Sequence, residues 1–247
     1  VRAERVLRRL TTIGAIAATG DFDMTPLSLF VQMLFLALPD TGWTLVKKTS
    51  RFEVSVLAIP GKDVEAFRSR GQDSVPLPVV GETLIDLPGM VTWCPYLAES
   101  RILRNLGPDH FLSYQRYDLP WPFTDRDIVV DVRISRHPER ATMEARLKAV
   151  ADSSRPPVPG VIRVTDMDGS ISVKALGKGA IQGTYSERVD LGGGIPVSLA
   201  RIFSREMPAK ILENLLAECR KPARIQAGAA SPLTGWLDSA LAGKSSR

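Results

Sequence analysis

A chain of 247 residues with 44% apolar content is long enough to bury the core of one large domain. A mean hydropathy near zero excludes a protein that crosses a membrane many times by helices. Both ends contribute to the net charge of +5, through Arg2, Arg5, Arg8 and Arg9 and then Arg220, Lys221, Arg224, Lys244 and Arg247. Such ends suit solvated tails or contact with anionic headgroups, and no basic–aromatic stripe supports nucleic-acid binding.

The first forty residues read as a separable helical segment (1–40). Two apolar windows, Leu10–Gly20 behind Arg8-Arg9 and Leu27–Leu38, are short for a spanning helix. They suit an export signal or anchor, with Met24 as a start in a sequence that opens on Val1, or equally a helix packed on the domain. Pro39-Asp40-Thr41-Gly42 is a turn and marks the boundary of a domain over 41–221. Strands are predicted at Trp43–Lys48, Phe52–Ile59 and Val64–Ser74, then a helix over Pro76–Leu87 with proline in its first turn, then a short irregular helix at Met90–Leu97. A meander follows, with strands at Glu99–Leu106, His110–Asp118, Asp127–Ser135, Ala141–Ala151, Val161–Asp166, Ser170–Leu176 and Ile181–Leu191. Met143, Ala145, Leu147 and Ala149 alternate with Glu144, Arg146 and Lys148, the pattern of a sheet with one dry and one wet face. Pro196–Cys219 carries a helical stripe through Leu199, Phe203, Met207, Ile211 and Leu215, and Pro208 predicts a kink or a split in it. Residues 222–247 are expected to form a loosely held tail apart from a short element at Trp236-Leu237.

The most informative stretch is the Pro-stiffened loop Tyr117–Asp125 feeding a strand that opens with Arg126-Asp127. Arg126, Ile128, Val130, Val132 and Ile134 share one face, while Asp127, Val129, Asp131 and Arg133 share the other. If the apolar face is the inner one, Arg126 points inward and Asp127 outward. A guanidinium inside an apolar surface needs a partner or a ligand. Arg126 is therefore read either as a polar anchor for a ligand or as half of a buried ion pair, with Glu187 as the inward-facing candidate partner by parity with Ile181, Tyr185 and Val189.

Signals for catalysis are thin. His110 and His137 are the two histidines, and no cluster of metal-ligating residues appears, so no metal or cofactor is expected. Cys94 and Cys219 form no disulfide framework; two free thiols are favoured over a single bridge. Gly192-Gly193-Gly194 lacks the Gly-Lys-Ser/Thr ending of a phosphate loop and reads as a flexible lead into the helix.

The Tyr117–Ile134 stretch resembles the START (steroidogenic acute regulatory-related lipid transfer) domains, especially bacterial members. Four further segments match in order: Gly42–Lys48, Asp86–Pro95 with its Trp93, Asp190–Pro196 with its glycines, and Pro208–Leu216. The resemblance covers roughly 42 to 220; relatives often carry a Trp where this chain has Ile171, a difference that bears on cavity shape. It implies an α+β helix-grip fold, a curved antiparallel sheet wrapped around a long C-terminal helix with an internal hydrophobic cavity. Its implied occupant is a lipid, sterol or other hydrophobic small molecule. Implied liners are Trp93, Tyr96, Leu112, Tyr114, Met143, Leu147, Tyr185, Phe203 and Met207 beside Arg126 and Glu187. Trp121 and Phe123 would form a gate or a lip touching a membrane transiently, and the triple glycine a hinge for ligand passage. An export signal in 1–40 would place the protein in the bacterial cell envelope; without one it would be cytoplasmic. The alternative is a helix-grip enzyme of the cyclase, aromatase or hydrolase kind, with Glu187, Tyr185 and Tyr114 as acid–base candidates.

Overall fold

The computed structural model of the chain describes residues 38, 41–62 and 64–245. The N-terminal apolar windows, Leu38 apart, lie outside the described residues, and with them the choice between signal, anchor and packed helix. The domain opens with three antiparallel strands, β1 (Thr44–Lys48), β2 (Phe52–Ala58) and β3 (Glu65–Asp73). Helix α1 (Leu77–Ile85), started by a proline in its first turn, and a short 3-10 turn at Pro88–Thr92 lead into the meander. Its strands are β4 (Leu97–Gly107), β5 (His110–Tyr117), β6 (Arg126–His137), β7 (Thr142–Ala149), the short β8 (Ile162–Val164), β9 (Asp166–Ala175) and β10 (Ile181–Asp190). The long helix α2 (Val197–Cys219) follows.

The ten strands form one curved sheet, nine of them in the order β1-β2-β3-β10-β9-β7-β6-β5-β4 and β8 beside β6. The pairing of β10 with β3 closes the N-terminal hairpins onto the meander, and β8 runs parallel to the first residues of β6, from Arg126 to Ile128. Helix α2 packs across β2 and β3 and against α1. Its Ala209 is buried against Phe52 and Val54. Polar clasps fix its outer side: Lys47 to Glu206 at 2.7 Å, Arg205 to Glu65 at 3.1 Å, and Arg220 to the nearly unexposed Asp73. Asn214 Nδ2 donates to the Trp93 carbonyl at 2.8 Å, tying the middle of the helix to the turn after α1.

Two expectations change. The helix runs unbroken through Pro208, so of the kink or split predicted there the split does not occur, and Pro208 is fully buried. The segment after 221 is two helices rather than a loose tail, α3 (Pro222–Ala230) and α4 (Pro232–Ser245). Leu233, Leu237 and Ala240 bury one face of α4, and Gly228 of α3 sits so close to Val79 that any side chain there would collide with it. Small residues conceal such an interface from a reading of apolar periodicity, because close backbone approach does the packing. Cys94 and Cys219 are both free thiols, and no described helix is long and apolar enough to cross a membrane.

Candidate functional site

The cavity is built by strand alternation. Arg126, Ile128, Val130, Val132 and Ile134 of β6 all face it, joined by Met143, Ala145 and Leu147 of β7 and by Met167 and Ile171 of β9. Helix α2 closes the concave side with Phe203, Met207, Ile211 and Leu215. The cavity volume is about 710 Å³, within the range of sites that hold one small molecule. Trp93 and Tyr96 stand on the wall contributed by the turn after α1, with Trp93 buried and Tyr96 partly open to solvent.

Leu112 and Tyr114 are not cavity liners. In an antiparallel pair, residues opposite one another share a face. The register sets Tyr117 opposite Arg126, Gln115 opposite Ile128 and Phe111 opposite Val132, so these β5 residues face inward. Leu112 and Tyr114, opposite Asp131 and Val129, take the outer face. That face is not wet here. Asp127 is fully buried, accepting from Arg163 Nε at 2.7 Å and Nη2 at 2.9 Å and from the Tyr114 hydroxyl at 3.1 Å. Arg155 lies over the Tyr114 ring at 4.0 Å, so the loop after β7 roofs the cluster. Asp127 therefore points away from the cavity, as the alternation predicts, but into a second buried layer rather than solvent.

Arg126 is only 2% exposed and its hydrogen bonds go to backbone carbonyls. Nε donates to Leu191 at 3.3 Å, Nη2 to Gly192 at 3.1 Å, and Nη1 to Thr124. It clasps the turn that leads into α2; its hydrogen bonds do not reach Glu187. Burial lowers its pKa from the ordinary guanidinium value, with Asp125 opposing. Gly192, Gly193 and Gly194 all have positive φ, between 61° and 69°, and a side chain on Gly193 would collide with Ile162 and press on Arg126. The loop before β6 reaches the same helix end, where the Phe123 and Phe203 rings meet edge to face at 6.1 Å. Trp121 is 93% exposed.

A polar cluster occupies the wall apart from Arg126. Glu187 Oε2 accepts from the Tyr185 hydroxyl at 2.7 Å, and Tyr117 donates to Gln115 Oε1 at 2.8 Å. Cys94 adjoins both Tyr117 and Glu187. These side chains are half-buried, and what remains open of them is on the cavity wall. Gly169, opposite Glu187 on β9, leaves room for the carboxyl. Burial pushes Glu187 up to about 7, against the lowering effect of the Tyr185 hydrogen bond. Burial also raises Cys94 to about 12, helped by the Glu187 charge, and holds both tyrosines well above their ordinary value. A thiol so raised is a poor nucleophile. Sequence reasoning missed Tyr117, Gln115 and Cys94: the two β5 residues face inward through their register with β6, which the sequence does not show, and Cys94 stands in the irregular turn before β4. Among the described residues no group of three His, Cys, Asp or Glu could hold a metal ion.

The START domain family model matches residues 31–224. An uncharacterized Pseudomonas aeruginosa protein is 28% identical over 179 residues, covering 72% of this chain and 87% of that protein. The crystal structure of a STAR-related lipid transfer protein fragment from Xanthomonas axonopodis is 25% identical, with a TM-score of 0.67, covering 73% of this chain and 100% of that one. Human STARD10, 17% identical, shares the fold with a TM-score of 0.70 over 89% of this chain and 88% of its own.

Proposed function

We propose that this chain, which belongs to the START domain family, binds one hydrophobic molecule such as a lipid or sterol in the cavity between the sheet and α2, and passes it to or from a membrane. The observation that carries this reading is the cavity of about 710 Å³, walled by apolar side chains from both sheet and helix. Burial of each CH₂ contributes about 0.8 kcal/mol, so a long hydrocarbon is held without any covalent step. The similarity to the Xanthomonas axonopodis protein named for lipid transfer supports the same reading.

Ligand exchange requires that the cavity open. In this reading the three positive-φ glycines serve as a hinge, the Phe123–Phe203 contact as a latch on α2, and the exposed Trp121 as an apolar contact for a bilayer surface. The double variant Trp121→Ala/Phe123→Ala is expected to fold normally and to lose several-fold in transfer rate between donor and acceptor vesicles. Unchanged vesicle binding and transfer would remove the loop from the mechanism.

The second reading, an enzyme, draws on one observation: a carboxyl near neutral pKa, hydrogen-bonded to Tyr185 and facing the cavity. Tyr114, on the outer face, has no place in it. Recovery of an offered hydrophobe unaltered from the protein separates binding from turnover.

A further inference from the structure

We infer that the cavity selects hydrophobes whose polar end donates a hydrogen bond, an alcohol or an amine, and that Glu187 makes the selection. The inference rests on the cavity being a ligand site and adds the chemistry of the ligand's polar end. It follows from an inventory of donors and acceptors on the wall. The lining cations are Lys62 and Arg126. Lys62 is paired with Asp166 at 2.5 Å, and Arg126 is hydrogen-bonded to the carbonyls of Thr124, Leu191 and Gly192. Lys62 is neutralised by that pair, while Arg126 keeps its charge but is committed by three hydrogen bonds to the turn before α2 rather than to the Glu187 cluster.

The lining acids differ in the same respect. Glu65 is bonded to Arg205 and Ser204, and Asp190 accepts the Gly192 amide at 2.9 Å. Among the described residues Glu187 has no cation within ion-pair distance; the Tyr185 hydroxyl bonds one oxygen, Oε2. The hydroxyl protons around it are already committed within the cluster. Tyr185 donates to Glu187 itself, Tyr117 donates to Gln115, and Gln115 Nε2 lies 3.9 Å from Met90 Sδ. The Trp93 indole N–H is unbonded but closed off within the wall, so it presents no donor to the interior. Beside one remaining Gln115 N–H and the weak Cys94 S–H donor, what the cluster offers an occupant with Glu187 ionised is acceptor capacity, a carboxylate oxygen and phenolic lone pairs.

An alcohol or ammonium end completes these acceptors. An ester end would set acceptor against acceptor, and a carboxylate or phosphate end would add like charge in a site where water does not screen it. Glu187 lies in mid-sheet between Phe67 and Gly169, so the polar end of the ligand is held inside and the hydrocarbon extends along the β6 and β7 face.

The test is isothermal titration of the full chain at about pH 8 with four probes of one chain length: dodecanol, dodecylamine, methyl dodecanoate and dodecanoate. The alcohol and the amine are expected to bind at least tenfold more tightly than the ester and the carboxylate. In Glu187→Gln, whose amide both donates and accepts, the alcohol-to-ester ratio is expected to fall towards one while the carboxylate gains affinity. Equal binding of alcohol and ester, or of alcohol and carboxylate, overturns the inference and leaves the cavity reading standing, as does an unchanged ratio in Glu187→Gln. Failure of all four probes to bind overturns both.

Discussion

Replacing Arg126 by leucine is expected to lower stability by about 3–5 kcal/mol, read by urea denaturation, because hydrogen bonds from a charged donor contribute roughly 1.5–3 kcal/mol each and their carbonyl partners would be left unpaired. The guanidinium binds the carbonyls of Thr124, Leu191 and Gly192 and so joins the start of β6 to the turn before α2. Lysine at the same position, with a single ammonium, reaches fewer of these acceptors and is expected to recover only part of the loss. Amide exchange over residues 191–200 is expected to rise in both variants, since the clasp holds that turn. A leucine variant with wild-type stability and no ligand binding would instead make Arg126 the ligand's anchor.

Glu187→Gln is expected to stabilise the protein at alkaline pH by about 3 kcal/mol, the free energy equivalent of a pKa raised from 4.5 to about 7. Burial raises the folded-state value, so the folded protein holds this proton more tightly than the unfolded chain does. The wild type is then most favoured where the carboxyl is protonated in both states, below about 4.5, and loses that contribution as pH rises through about 7. The glutamine variant lacks this loss. Its Tm is expected to exceed the wild type's by roughly 5–10 °C above pH 7 and to converge with it near pH 4.5. Parallel curves across that window would mean that the carboxyl is as well solvated in the cavity as in water.

Much of this architecture is legible in the residues, and the exceptions share a cause. The alternation from Arg126 to Ile134 assigns the inner face of β6 correctly, because beyond Arg126 that face is apolar at every position. In β5 the run His110–Tyr117 places apolar and aromatic residues on both faces, so parity cannot choose between Tyr114 and Tyr117; only the register with β6 does. Asp127 reads as a solvent residue because its cover lies more than twenty-five residues away, Arg155 in an irregular loop and Arg163 on the short strand β8. The partner assigned to Arg126 from parity, Glu187, was a side chain. Backbone carbonyls, which every residue carries, give no signal in a sequence, yet they hold this arginine. Helices α3 and α4 were hidden for a related reason, since their contacts rely on glycine and alanine as much as on large apolar residues.

The central claim is that the cavity holds one hydrophobic molecule, and native mass spectrometry of the purified chain, before and after incubation with a lipid extract and followed by organic extraction, tests it most directly. The expected spectrum shows a single hydrophobic adduct in one-to-one stoichiometry, recovered chemically unchanged. A clean unliganded mass after that incubation, with the protein folded, would contradict the claim.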